Sequence, residues 1–124
     1  MDVTKVIEKL KEKYPNKTII KNDELHPTEI LCEINPPSEH PNYSIAISVI
    51  DKSKSHKHEI TTETYKVMKG KLILHIGKKM ITLNSGDKYV ITPGNVHWAE
   101  GLETWVECRA TPAWTAKDHI LTFK

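Results

Sequence analysis

The chain has 124 residues, enough for one domain with a real core and too few for two. Apolar residues make up 38% and charged residues 27%, a balance that excludes a disordered or membrane-dominated chain. The net charge of +2 is too small to argue for nucleic acid, and Arg109 is the sole arginine, so no cluster exists to grip a phosphate backbone. No apolar run approaches the length of a bilayer-spanning helix, and the N-terminus lacks an apolar signal-like segment, so the expected setting is cytoplasmic with no membrane partner. Cys32 and Cys108 lie far apart with no CxxC pattern and sit among apolar, strand-like neighbours; they read as buried free thiols.

Taken in chain order, "MDVTKVIEKLKEKYP" places Val3, Val6, Ile7, Leu10 and Tyr14 on one face of a helix that Pro15 ends. Asp2 or Thr4 can cap its start, and lysines crowd its far end, where they suit the helix dipole. The character then changes. "KTII", "TEILCEI", "YSIAISVI", "TYKVMKGKLILHI", "KMITL", "KYVIT" and "TWVECRA" are short, rich in Val, Ile, Thr and Tyr, and mostly alternating. Turn residues separate them, among them "NPPSEHPN", "KG", "NSGD" and "PGN". Many short strands in a chain of this size predict an antiparallel sandwich or small barrel.

Within "SHKHEITTETYKVMKG", His56 and His58 lie two apart, so on a strand they project from the same face about 6.6 Å apart at the backbone. Lys57 faces the other way. Glu63 follows His58 by an odd number of residues, so an unbroken strand would send it to the wrong face. A turn or bulge near Thr61 and Thr62 is needed if Glu63 is to join the histidines. Downstream, "GD" at Gly86 and Asp87 is a tight-turn signal, and "TPG" ends the next strand just before His97. Three imidazoles and a carboxylate suit a divalent transition ion such as Fe, Mn, Ni, Co, Cu or Zn, with positions left for water or substrate.

These two segments resemble the two motifs of the cupins. "HKHEITTETYKVMKG" matches HxH, a short spacer, a Glu, six residues and a Gly; "GDKYVITPGNVH" matches a GD turn followed by PG, two residues and a histidine. The resemblance implies an all-β fold, a double-stranded β-helix or jelly-roll barrel with one short N-terminal α-helix. Residues 1–42 would form the helix and flanking strands packed on a barrel of residues 43–124, in a single domain overall. It also implies one divalent transition metal ion held inside by His56, His58, Glu63 and His97. Two positions depart from the family pattern: Thr92 stands for the first proline of PxG, and Gly101 for an asparagine often found after the second-motif histidine.

Alternation puts Tyr65 and Val67 on the face of Glu63, which makes Tyr65 a candidate catalytic phenol. Tyr89, with Ile91, is placed to face the same cavity and is a candidate for substrate binding; filling the core is an equal reading for either tyrosine. Trp98, next to His97, is a candidate for substrate binding; it and Trp114 either wall the pocket mouth or pack the barrel's ends. Trp105, Glu107 and Arg109 share one strand face, and Val106, Cys108 and Ala110 the other. If the polar face looks inward, Glu107 serves as a base and Arg109 as an anion clamp; the small apolar set suits the core better, which would turn both outward. His75 is out of phase with Leu72, Leu74 and Ile76 and reads as outward-facing, while His26, His40 and His119 rank lower as site residues.

The resemblance implies a metal-dependent enzyme on a small polar molecule, either a sugar or sugar-phosphate isomerase or epimerase, or a dioxygenase. The alternative is a non-catalytic small-molecule binding or sensing barrel. An exposed barrel edge and the late aromatic cluster predict a homodimer.

Overall fold

The computed structural model describes residues 1–122. Helix α1 spans Val3–Lys13, with Asp2 as its cap: the backbone N–H of Lys5 donates to the Asp2 carboxylate at 3.2 Å. Lys11 and Lys13 fill the last turn, where their charge suits the exposed carbonyls. Val6 and Leu10, one turn apart, are the residues this helix buries.

Ten strands follow: β1 (Ile19–Lys21), β2 (Glu29–Asn35), β3 (Ser44–Lys52), β4 (His56–Lys57), β5 (Thr62–Lys69), β6 (Lys71–Ile76), β7 (Lys79–Asn84), β8 (Lys88–Ile91), β9 (His97–Thr111) and β10 (Ile120–Leu121). A 3-10 turn at Ala116–Asp118 precedes β10. All pairings are antiparallel. Among the described residues no helix is long and apolar enough to cross a membrane.

β9 organises the barrel. Its later half, Thr104–Thr111, pairs with β3 on one side and β5 on the other, giving a sheet in the order β1-β2-β3-β9-β5-β8. Its earlier half, His97–Gly101, pairs with β6 and, through His97, with β4, giving β7-β6-β9-β4-β10. The alternating pattern predicts this last strand from Thr104; the structure begins it at His97. The reason is a bend instead of a break. Glu103 takes a positive φ of 48°, and Gly101 lies so close to Thr104 that a Cβ there would collide with the threonine side chain. Thr104 is buried and its hydroxyl donates to the Lys71 carbonyl at 2.6 Å, so it wedges the two halves in place. This is why a glycine stands at position 101.

The inner faces of the two sheets enclose one apolar core: Ile50, Tyr65, Val67, Ile91 and Val106 meet Leu72, Leu74, Ile76, Leu83 and Ala99. A second cluster lies outside the first sheet, where Val6 and Leu10 of α1 cover Ile30, Cys32, Ile47, Val49 and Trp105. Both cysteines are free thiols; Cys32 is buried in the outer cluster, and Cys108 packs partly buried against the inner one.

Candidate metal centre

His56 lies on the two-residue strand β4 and pairs in register with His97, the first residue of β9. The strand stops at Lys57, the chain bends at Glu59 and Ile60, and β5 resumes at Thr62. This break resets the alternation, so the odd-numbered step from His58 to Glu63 ends on the same side as the histidines. The PG turn meets the bend from the opposite direction: Gly94, at a φ of 86°, donates its N–H to the His58 carbonyl at 2.6 Å. Asn95 Nδ2 donates to the Thr92 carbonyl and hydroxyl, so Thr92 stiffens the turn by hydrogen bonding where the family places a proline.

The four side chains converge. Ligand atoms of His56, His58, Glu63 and His97 all lie within 4.8 Å of one another, and all four residues are buried. Glu63 Oε1 is 3.7 Å from His56 Nε2 and 3.0 Å from Nε2 of both His58 and His97. The far side of each ring is fixed by the backbone. The Nδ1–H groups of His56, His58 and His97 donate to the carbonyls of Lys54 (2.8 Å), Asp118 (3.0 Å) and Asn95 (2.9 Å). A carbonyl only accepts, so each Nδ1 carries the hydrogen and each neutral ring presents a bare Nε2 lone pair to the centre.

Three lone pairs facing one carboxylate oxygen repel unless a cation lies among them. His58 Nε2 is buried and has no hydrogen-bond partner among the described residues, despite its closeness to Glu63. Bare, convergent nitrogens with a carboxylate are the donor set of a divalent transition ion, and the residues present fit one. Burial opposes charge on both His56 and Glu63, yet the attraction between them, with the Lys54 carbonyl accepting from the imidazole, outweighs it. It raises the His56 imidazole, and the three imidazoles together hold the Glu63 carboxyl well below its ordinary range.

Tyr65 is brought to the cluster. It is buried on the Glu63 face of β5, with its ring 6.0 Å from that of His97. Burial, reinforced by the Glu63 charge, pushes its phenol well above 10. Tyr89 pairs in register with Tyr65 and packs half-buried against the inner core. Trp98, Glu107 and Arg109 are not brought there. Trp98 alternates with buried His97 and so points out of the barrel. Its ring stacks on that of His75 at 3.8 Å between centroids, and Lys52 lies over it. His75 in turn contacts Glu100 at 2.6 Å. Glu107 and Arg109 share the outward face of β9 with Trp105, which packs beneath α1, and the exposed Arg109 guanidinium lies over the Tyr43 ring.

Three residues near the cluster were missed. His119 lies over it, its ring 4.5 Å from that of His56 and 5.5 Å from that of His58. Burial, with the neighbouring His56 and His58, lowers its pKa to about 4. Trp114 Nε1 donates to His119 Nδ1 at 3.4 Å. Asp118 contacts the bend directly. Glu29 faces the interior from β2, where buried Ser48 donates to its carboxylate at 2.6 Å; burial, only partly offset by that bond, raises its pKa. No local motif marks any of the three.

The fold and the cluster together define a jelly-roll barrel with a site of three histidines and a glutamate capable of binding metal. The chain belongs to the cupin family, whose domain model matches residues 46–109. No curated protein sequence matches the chain. Among solved structures it is similar to Pac13 of Streptomyces, a nucleoside dehydratase, with a TM-score of 0.75, 12% identity, and 90% of each chain covered. It is similar to KdgF from Halomonas sp. at a TM-score of 0.64 and 18% identity, over 73% of this chain and 85% of the other. A double-stranded β-helix protein from Klebsiella pneumoniae matches at a TM-score of 0.69 and 19% identity, over 91% and 94%.

Proposed function

We propose that the protein is a metal-dependent enzyme acting on a small polar molecule inside the barrel, by proton-transfer chemistry of the isomerase or epimerase type. The observation that carries this reading is the convergence of three backbone-oriented Nε2 atoms on Glu63 Oε1. A divalent ion bound by His56, His58, Glu63 and His97 supplies Lewis acidity to a carbonyl or hydroxyl oxygen. The chain's own groups do the rest. Backbone carbonyls hold the three imidazoles in one tautomer. Tyr65, beside Glu63 on the same strand face, offers a phenolic hydrogen to a substrate oxygen. Tyr89, its cross-strand neighbour, extends that wall. The likeness to a nucleoside dehydratase supports a hydroxyl-rich molecule as the type of substrate to test first.

The test is elemental analysis of the protein as isolated, followed by a thermal-shift screen of small polyhydroxylated molecules and assay of the hits. Anaerobic aldose–ketose interconversion or epimerisation that depends on the metal supports the proposal. Substrate-dependent oxygen uptake reassigns the protein to the dioxygenases. Tight binding with no turnover reassigns it to ligand binding or sensing.

A further inference from the structure

The bend at Glu59 and Ile60 solves the phase problem between His58 and Glu63, and it is held from 57 to 60 residues away in sequence. The Asp118 carboxylate accepts backbone N–H bonds from three consecutive residues. Glu59 donates to Oδ1 at 2.9 Å, Thr61 to Oδ2 at 3.0 Å, and Ile60 to both oxygens at 3.1 and 3.3 Å. The backbone carbonyl of the same residue accepts from His58 Nδ1–H at 3.0 Å. One residue therefore meets four consecutive positions, 58 to 61, leading from the last histidine of the HxH pair toward the glutamate.

Asp118 is itself fixed. It is buried at 6% exposure and ends the 3-10 turn capped by Thr115, whose hydroxyl accepts from the Asp118 N–H at 3.3 Å. On either side, the segment is tied to the barrel. Trp114 N–H donates to Ser44 Oγ at 2.9 Å, and β10 pairs with β4, setting Leu121 opposite His56 and Ile120 opposite Lys57. Thr122 N–H closes the run on the Ser55 carbonyl at 3.0 Å. Residues 114–122 thus form a clasp that crosses the ligand-bearing edge and ends beside the first metal-site histidine.

We propose that Asp118 is the positioning residue of this metal centre. Its carboxylate sets the bend that brings Glu63 round to the histidines, and its carbonyl sets the tautomer of His58. This rests on the reading of the cluster as a metal site. Three amides in a row turned toward one carboxylate do not persist without it, because each would lose a charge-assisted acceptor, Thr61 in a buried place and Glu59 and Ile60 in a partly buried one. The bend would then relax toward an ordinary strand, whose alternation turns Glu63 away from His58. Removing Asp118 thus disorders the ligand set without removing a ligand.

The test uses the full chain as wild type, Asp118→Ala, Asp118→Asn, and Leu10→Ala as a variant destabilised far from the site. Amide hydrogen exchange of the metal-free proteins reads the bend; cobalt(II) affinity and the visible spectrum of the bound cobalt read the ligand geometry. Asp118→Ala is expected to speed exchange at Glu59, Ile60 and Thr61, to weaken cobalt binding roughly 10–100-fold, and to shift the cobalt bands. Asp118→Asn, which keeps one acceptor oxygen and the shape, falls between. Leu10→Ala keeps the wild-type spectrum and affinity. Wild-type affinity and spectrum in Asp118→Ala would overturn the proposal, as would an equal loss in Leu10→Ala. A wild-type protein that takes up no cobalt fails the metal reading itself and this proposal with it, whereas wild-type binding retained by Asp118→Ala defeats only the role of Asp118.

Discussion

His56 and His97 face each other across the one registered pair that joins β4 to β9, although 41 residues separate them in the chain. Their ring centroids are 4.3 Å apart. Strand pairing, more than side-chain reach, therefore sets the spacing between these two ligands, and the bend before β5 supplies the other two.

Loss of one corner should empty the site. His58→Ala and Glu63→Gln are expected to purify without stoichiometric metal while keeping the β-rich circular dichroism of the wild type. Elemental analysis decides it: a full equivalent of metal in His58→Ala would remove His58 from the ligand set.

Helix α1 acts on stability and leaves the site alone. Leu10 is fully buried beneath the first sheet, so Leu10→Ala should cost about 2–5 kcal/mol in chemical denaturation. The metal content per folded molecule should not change, because the helix packs on the sheet face opposite the cluster.

Gly101 is predicted to be intolerant of any side chain. In Gly101→Ala the new Cβ meets the Thr104 side chain, which is pinned by its bond to Lys71 and sits against Gly70 as well. An overpacking cost of about 1–3 kcal/mol is expected. A melting temperature equal to that of the wild type would show that the β9 bend is softer than the packing implies.

The metal-free protein should lose stability toward acid in two stages. His119 has a folded pKa of about 4 against an ordinary value near 6.5, so the unfolded chain binds its proton first as pH falls. Its penalty accrues between about pH 6.5 and 4. The depressed carboxyl of Glu63 extends the loss below its ordinary value of 4.5. His56 has the opposite sign: its raised pKa stabilises the fold below 6.5 and is lost as pH rises through the folded value. Denaturation of His119→Gln across this range should lack the first stage. An unchanged pH profile would mean that His119 is solvated in solution.

The ligands were legible in the sequence because their signal is local. HxH fixes a shared face, and the PG turn announces the return of His97. The need for a break between His58 and Glu63 followed from phase alone, and the structure places it at Glu59 and Ile60. Trp98 shows the limit: adjacency to a ligand suggested the pocket, but alternation along β9 sends it outward, onto His75. The early start of β9 was hidden because the alternating strand pattern is clear only from Thr104, whereas Gly101 and Glu103 bend a continuous strand that begins at His97. Asp118, His119 and Glu29 carried no signal. Each matters through a partner brought close by the tertiary fold, and the spacing of an isolated Asp or His does not encode that.

β9 is a member of both sheets along its fifteen residues. The molecule therefore has no seam along which one sheet can separate from the other, since opening either one breaks hydrogen bonds to the same strand. The barrel should unfold as one cooperative unit, with the slowest-exchanging amides along β9. An ion drawn to His97, its first residue, would be felt as protection at the far end, near Ala110, where the strand lies opposite Glu63.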